Sequence, residues 1–227
     1  MGRDRLVLVV NVDAKHRVAG VILAGGASRR MGGAHKGLLG LAGKPMIQHV
    51  AERLAPQVLE LAISIHGEGA AFSRFGRPLI ADAASEQHGP LAGVLAGMMW
   101  ARKSHPEARW IATASCDAPF CPADYVGVLL QAALAAPADT ERIAIAASRG
   151  RSHFAFGLWP VTLSADLSAY LASGERRMRG WIERHGHVIS EFPPLVRGGE
   201  PLDPFFNVNT PEDLAFAALA FGGDDKD

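Results

Sequence analysis

The stretch "VAGVILAGGASRRMGGAHKG", Val18–Gly37, decides how the rest of the chain is read. Its first half is an unbroken apolar run, the pattern of a strand buried on both faces of a parallel sheet. The run stops at Gly25 and Gly26, a second glycine pair follows at Gly32 and Gly33, and Arg29, Arg30 and Lys36 are interspersed. Positions without side chains let backbone N–H groups turn inward and approach a phosphate closely, and the three cations supply matching charge. The stretch is not a Walker A loop, because no glycine-lysine-serine/threonine stands at the required spacing, and it is not a GxGxxG fingerprint. A solvated, turn-rich loop is the competing reading; its place directly after a buried strand favours the phosphate.

Outward from this stretch, apolar β-branched runs alternate with helical patterns. "KPMIQHVAERLAPQV" sets Met46, Val50 and Leu54 four apart, one stripe of an amphipathic helix. "LELAISI" and "RPLIAD" read as strands. "GPLAGVLAGMMWARK" reads as a helix whose small residues allow close packing on a sheet, and "RWIATAS" is a strand running into "CDAPFCP". Then come helix "ADYVGVLLQAALAA", strands "ERIAIAAS" and "HFAFGLWP", helices "LSADLSAYLAS" and "ERRMRGWIERHG", and strands "HVISEF" and "FFNVN". "TPEDLAFAALAF" closes the series with Thr210 as N-cap and Pro211 in the first helical position. The alternation predicts one α/β domain, a mostly parallel sheet with helices on both faces. It spans 18–221, with an N-terminal extension at 1–17 and an acidic tail at 222–227. In such sheets ligands gather at the carboxyl ends of strands, where Gly25, Asp82 and Asp117 are all predicted.

Composition narrows the function classes. Across 227 residues Lys+Arg and Asp+Glu both number 23, so no global basic field points to nucleic acid. The apolar run at Leu6–Val10 is too short for a membrane span. Cys116 and Cys121 match no common zinc spacing and cannot build a disulfide framework, so a cytoplasmic protein is expected, with no nucleic-acid or membrane partner.

Asp117, directly beyond a predicted strand, suits magnesium, a cation of oxygen ligands that keeps waters and substrate phosphates. On the local residues alone an Asx-turn before Pro119 is the favoured reading, and Asp82 faces the same choice. Cys116 has no partnered base and reads as packing. The "GERRMRG" cluster at Gly174–Gly180 meets an anionic substrate or forms a solvated face. Glu212 and Asp213 suit the dipole of the last helix and are left outside the site.

Together, "LAGGASRRMGGAHKG", "KPMIQHV", "GPLAGVLAGM", "CDAPF", "GERR" and "FFNVNTPEDL", in that order, resemble the molybdenum cofactor guanylyltransferases of the nucleotidyltransferase superfamily. The resemblance runs from about Gly20 to Ala220. It implies a three-layer αβα sandwich with a Rossmann-like, mostly parallel sheet, and magnesium-dependent transfer of GMP from GTP to molybdenum-bearing molybdopterin. Pyrophosphate is released, and transient contact with molybdoenzyme maturation proteins is expected. Carried onto this chain, it implies that Leu23, Ala24, Gly25 and Gly26 line the guanine and phosphate region. Lys36 and Arg30 meet phosphates, Ser64 and Asp82 the nucleoside end, and Asp117 the metal. Asn207, Asn209 and Arg176 lie towards the acceptor. Two positions depart from the pattern: His35 stands where an acid is usual, and Ser64 where asparagine is frequent. The alternatives are a related cytidylyl- or sugar-phosphate nucleotidyltransferase, or a nucleotide- or cofactor-binding protein without catalysis.

Overall fold

The apolar run is strand β1, Val18–Leu23, its first five residues buried. The computed structural model describes residues 17–25, 35–67, 69–81, 89–135 and 142–222. After β1 come the two-residue strands β2 (Gly40–Leu41) and β3 (Lys44–Pro45), helix α1 (Met46–Leu54), β4 (Leu61–Ile65), β5 (Leu79–Ala81), helix α2 (Pro90–Ser104) and β6 (Trp110–Ser115). The second half runs α3 (Tyr125–Leu134), β7 (Ile143–Ser148), β8 (Arg151–Pro160), α4 (Ser164–Ala172), α5 (Met178–Ile182), β9 (His187–Glu191), β10 (Leu195–Arg197), β11 (Glu200–Leu202) and α6 (Pro211–Gly222). Seven strands form one sheet in the order β5-β4-β1-β6-β8-β7-β9. Only β8 runs against its neighbours β6 and β7; the other pairs are parallel.

The period of two in β1 divides its side chains between two cores. Val18 and Ile22 pack with Ile47, Val50 and Leu54 of α1 and with Tyr125 and Leu129 of α3. Ala19 and Val21 face the other way, onto Leu91, Val94 and Met98 of α2, Leu167 of α4 and Trp181 of α5. This is the expected three-layer arrangement. The predicted stripe of Met46, Val50 and Leu54 is fully buried, each side chain contributing roughly 1.5–3 kcal/mol of transfer free energy. Gly97 explains the small residues of α2: a Cβ there would lie 2.7 Å from Val21 Cγ2 and 2.9 Å from Ile111 Cδ1. The helix could not sit this close to the sheet with a side chain at that position.

A third apolar cluster gathers Leu41, Met46, Phe120, Leu202, Val208 and Ala217. Phe221 of α6 stacks on Phe120 at 4.7 Å and tilts over His49 at 4.5 Å. The His49 ring is fixed in turn through Nε2, 2.7 Å from the Leu41 carbonyl. These contacts dock the last helix against the loop that leaves β6, which is where the site lies.

Two predicted elements differ. "ERRMRGWIERHG" is helical only over Met178–Ile182. "FFNVN" is not a strand: Phe206 N bonds back to the Asp203 carbonyl, Val208 N goes to the Asp117 carbonyl, and Asn209 N goes to the Asp213 side chain. Phe205 and Val208 are buried while Asn207 is exposed, a spacing of three rather than the alternation of a strand. The β10–β11 hairpin has no counterpart in the sequence reading. The apolar run at Leu6–Val10 of the N-terminal extension lies outside the described residues, as does the tail beyond Gly222. No helix among the described residues is long and apolar enough to cross a membrane.

Candidate active site

Strand register brings the ends of four strands to one level. Leu23 of β1 lies opposite Ser64 of β4 and Ser115 of β6, and Ser64 lies opposite Ile80 of β5. The ladder continues one step past β1: Ala24 N donates to the Ser64 carbonyl at 2.8 Å, and Cys116 N to the Leu23 carbonyl at 3.2 Å. Ala24 is therefore buried while Gly25 emerges exposed at the carboxyl edge. Gly26, Arg29, Arg30, Gly32 and Gly33 lie outside the described residues, and so does Asp82, immediately after the end of β5.

The chain re-enters at His35 and forms a 3₁₀ turn over Lys36–Leu38. Gly37 lets that turn lie flat on the exit of β6; a Cβ there would come within 3.1 Å of Cys116 Cβ and 3.3 Å of Ile47 Cβ. The close approach delivers Lys36 to Asp117. Lys36 Nζ donates to Asn209 Oδ1 at 2.5 Å and lies 3.4 Å from Asp117 Oδ2. The other oxygen of Asp117 accepts the Ser115 hydroxyl at 2.5 Å. A cation, a carboxylate and two polar side chains from three distant parts of the chain thus converge beside the Leu23–Gly25 shelf. Both charged side chains are part-buried, Lys36 at 21% and Asp117 at 14% exposure, so their interaction is stronger than that of a surface pair.

An Asx-turn needs the amide two residues on, and Pro119 has no N–H to give. The Asp117 carboxylate faces Lys36 and Ser115 instead, while its backbone carbonyl accepts Val208 N at 2.8 Å. Asn209 is held from behind by a reciprocal cap. Asp213 Oδ2 accepts Asn209 N and Thr210 N, both at 2.9 Å, and Asp213 N donates to Thr210 Oγ1 at 3.1 Å. Asp213 belongs to the support of the site after all. Its signal was the T-P-E-D pattern, a capping-box variant at a helix start. Ser115 was also missed; a hydroxyl two residues before a strand-end carboxylate was its only trace. Asn207 is exposed, and its carbonyl accepts Asn209 Nδ2 at 3.3 Å.

Cys116 is buried, and burial, with the Asp117 charge second, pushes its thiol far above the ordinary range. Such a thiol stays protonated and packs, as the sequence suggested. Arg176 lies in the turn after α4, its Nη1 donating to the carbonyls of Leu171 at 2.8 Å and Glu175 at 2.7 Å. These bonds cap the end of α4 and do not join it to Lys36 or Asp117.

His35 packs edge-on against Phe72, ring centroids 5.2 Å apart, and its Nδ1 has no hydrogen-bond partner among the described residues. None of the Lys36 contacts runs through it. His35→Asp is expected to leave turnover within a few-fold of the native rate. A large gain on restoring the acid, in steady-state assays, would show that the histidine holds back the native reaction.

Residues 20–188 match the MobA-like NTP transferase domain family. A molybdenum cofactor guanylyltransferase of Rhodopseudomonas palustris (strain BisB5) is 46% identical over 198 residues, covering 87% of this chain and 90% of that one. The crystal structure of molybdopterin-guanine dinucleotide biosynthesis protein A from Archaeoglobus fulgidus aligns with a TM-score of 0.66 at 24% identity, over 88% of this chain and 96% of that one. The 4-diphosphocytidyl-2C-methyl-D-erythritol synthase of Anaerococcus prevotii aligns equally well, with a TM-score of 0.66 at 12% identity over 93% and 98%. At these identities the two structures bear on the fold alone. One of these proteins is named for a guanine dinucleotide and the other for a cytidyl group, so proteins named for different bases share this architecture.

Proposed function

The chain belongs to the molybdenum cofactor guanylyltransferases of the MobA-like NTP transferase family, and from that premise we propose that it transfers GMP from GTP to molybdenum-bearing molybdopterin. The observation that carries the reading is the convergence of Lys36, Asp117 and Asn209 at the carboxyl edge of the sheet, beside Leu23–Gly25. The acceptor's terminal phosphate oxygen attacks the α-phosphorus of GTP in line. A new P–O bond forms, the bond from the α-phosphorus to the bridging oxygen breaks, and pyrophosphate leaves. No covalent intermediate with the protein is required, so the side chains position the reactants and offset charge.

In this assignment Leu23, Ala24, Gly25 and Gly26 line the guanine and phosphates, and Ser64 and Asp82 serve the nucleoside end. Lys36 and Arg30 meet the phosphates. Asn207 and Asn209 face the acceptor, and Arg176, where its helix-capping bonds leave donors free, offers it further positive charge. Asp117 is the proposed magnesium ligand. Among the described residues no group of three His, Cys, Asp or Glu side chains could hold a metal. A lone carboxylate with a hydroxyl and an amide oxygen nearby fits a cation that takes its other ligands from phosphates and water. When bound, magnesium would supply positive charge that offsets the negative charge growing on the leaving pyrophosphate. We also assign the protein to the cytoplasm and propose transient contact with molybdoenzyme maturation proteins, through which the finished cofactor is passed on.

Calorimetry with GTP and CTP, paired with a pyrophosphate-release assay, tests the reading. GTP is expected to bind at least about 10²-fold more tightly, because a site that hydrogen-bonds one base edge leaves buried groups unpaired with another. Equal affinities would favour a less specific transferase. Selective binding without pyrophosphate release, in the presence of magnesium and acceptor, would make the protein a carrier.

A further inference from the structure

A second set of polar side chains, buried or part-buried, lies at the same edge of the sheet, and guanylyl transfer as described makes no use of it. Ser148, the last residue of β7, is fully buried, and His153 lies across the turn on β8 with its side chain 8% exposed. The Ser148 hydroxyl lies 2.7 Å from Asp203 Oδ1 and 2.7 Å from His153 Nε2. The hydrogen-bond pattern assigns the protons. An ionised carboxylate has no hydrogen to give, so Ser148 donates to Asp203 and accepts from His153 Nε2–H. The same Asp203 oxygen accepts Phe205 N at 2.8 Å. The Phe205 ring lies 4.9 Å from His153 and 4.8 Å from Phe156. The chain leaving β11 is therefore gripped at Asp203 and Phe205, and a few residues later it delivers Val208 N to the Asp117 carbonyl and Asn209 Oδ1 to Lys36.

We propose that Ser148, His153 and Asp203 form a latch that sets the register of the Asp203–Asn209 segment, and through it the placing of Asn209 for attack by the acceptor. They are positioning residues and touch neither substrate. An apolar contact at this place would tolerate sliding, whereas a carboxylate holding both a hydroxyl and a backbone amide admits one arrangement. The proposal rests on the guanylyl-transfer reading.

A double-mutant cycle tests it, with pyrophosphate release measured against acceptor concentration and GTP affinity measured separately by calorimetry. Ser148→Ala removes one hydroxyl and is expected to lower kcat/KM for the acceptor about tenfold, the effect of losing a hydrogen bond to a charged group. Its GTP affinity should change by less than about twofold, because Lys36 and the Leu23–Gly25 shelf remain. His153→Gln, whose amide can replace the Nε2–H donor, should keep most activity, and His153→Leu should fall with Ser148→Ala. In an Asn209→Ala background, Ser148→Ala should add no further loss. The latch is overturned if the two losses multiply in the double variant or if Ser148→Ala turns over like the native protein. It is equally overturned if every variant, His153→Gln included, loses activity in step with its melting temperature. A native protein that releases no pyrophosphate sinks the guanylyl-transfer reading and the latch together; an active one with multiplying losses sinks the latch alone.

Discussion

Lys36→Met is expected to lower guanylyl transfer by about 10²–10³ and to weaken GTP binding in the same variant, as loss of a preorganised electrostatic group does. Methionine keeps the length and apolar stem of the side chain and removes only its charged head. That head is held by Asn209 at 2.5 Å, while the contact to Asp117 is looser at 3.4 Å. It is thus aimed at the site before any nucleotide arrives, and little reorganisation is needed when phosphates come. In the proposed reaction that charge acts on the bound triphosphate and again on the departing pyrophosphate, so both KM for GTP and kcat should suffer. Lys36→Arg restores the charge but places it on a longer, planar fork. It should recover binding better than turnover. Steady-state pyrophosphate release and metal-free GTP calorimetry separate the two effects. An unchanged kcat/KM for GTP would return Lys36 to the reading of a solvated loop cation.

The parts of this architecture that were legible in the sequence are those set by local pattern. β1 could be read because a parallel strand covered on both faces needs no polar alternation. The stripe of Met46, Val50 and Leu54 and the Thr210–Pro211 helix start followed from helical period and capping. The site was legible only as separate pieces. Lys36, Asp117 and Asn209 were each singled out, but Lys36 is 81 residues from Asp117 and 173 from Asn209, and no local signal reports that they touch. Ser115 and Asp213 act through Asp117 and Asn209, so they carry no chemistry of their own to betray them. "FFNVN" has the composition of a strand, yet its amides are claimed by Asp203, Asp117 and Asp213. Tertiary partners, absent from the local sequence, decided its conformation. The reversed direction of β8 was illegible for a related reason: an apolar run reads the same whichever way it crosses the sheet.

Asp117→Asn is expected to lower turnover by about 10²–10³ while leaving metal-free GTP binding nearly unchanged. The asparagine keeps the shape of the side chain and an oxygen that can still accept from Lys36 or Ser115. What it loses is the negative charge, and with it the proposed claim on magnesium. Without metal, a carboxylate beside a triphosphate is repulsive, so its removal should not weaken nucleotide binding and can slightly strengthen it. Lys36→Met is expected to weaken that binding, and the contrast between the two variants makes the pair diagnostic. The fold should survive. Lys36 would lose a part-exposed ion partner but keep Asn209, and the Val208 bond goes to the Asp117 backbone, which the substitution leaves in place. Loss of such a part-buried pair should cost somewhat more than that of an exposed one, about 1–2 kcal/mol, or roughly 2–8 °C in melting temperature for a chain of this size. The decisive measurement is turnover titrated against magnesium for both proteins, with thermal melting alongside. The variant should need far more magnesium and still fall short of the native rate at saturation. A native-like magnesium curve would take the metal away from Asp117 and leave its carboxylate only the task of orienting Lys36.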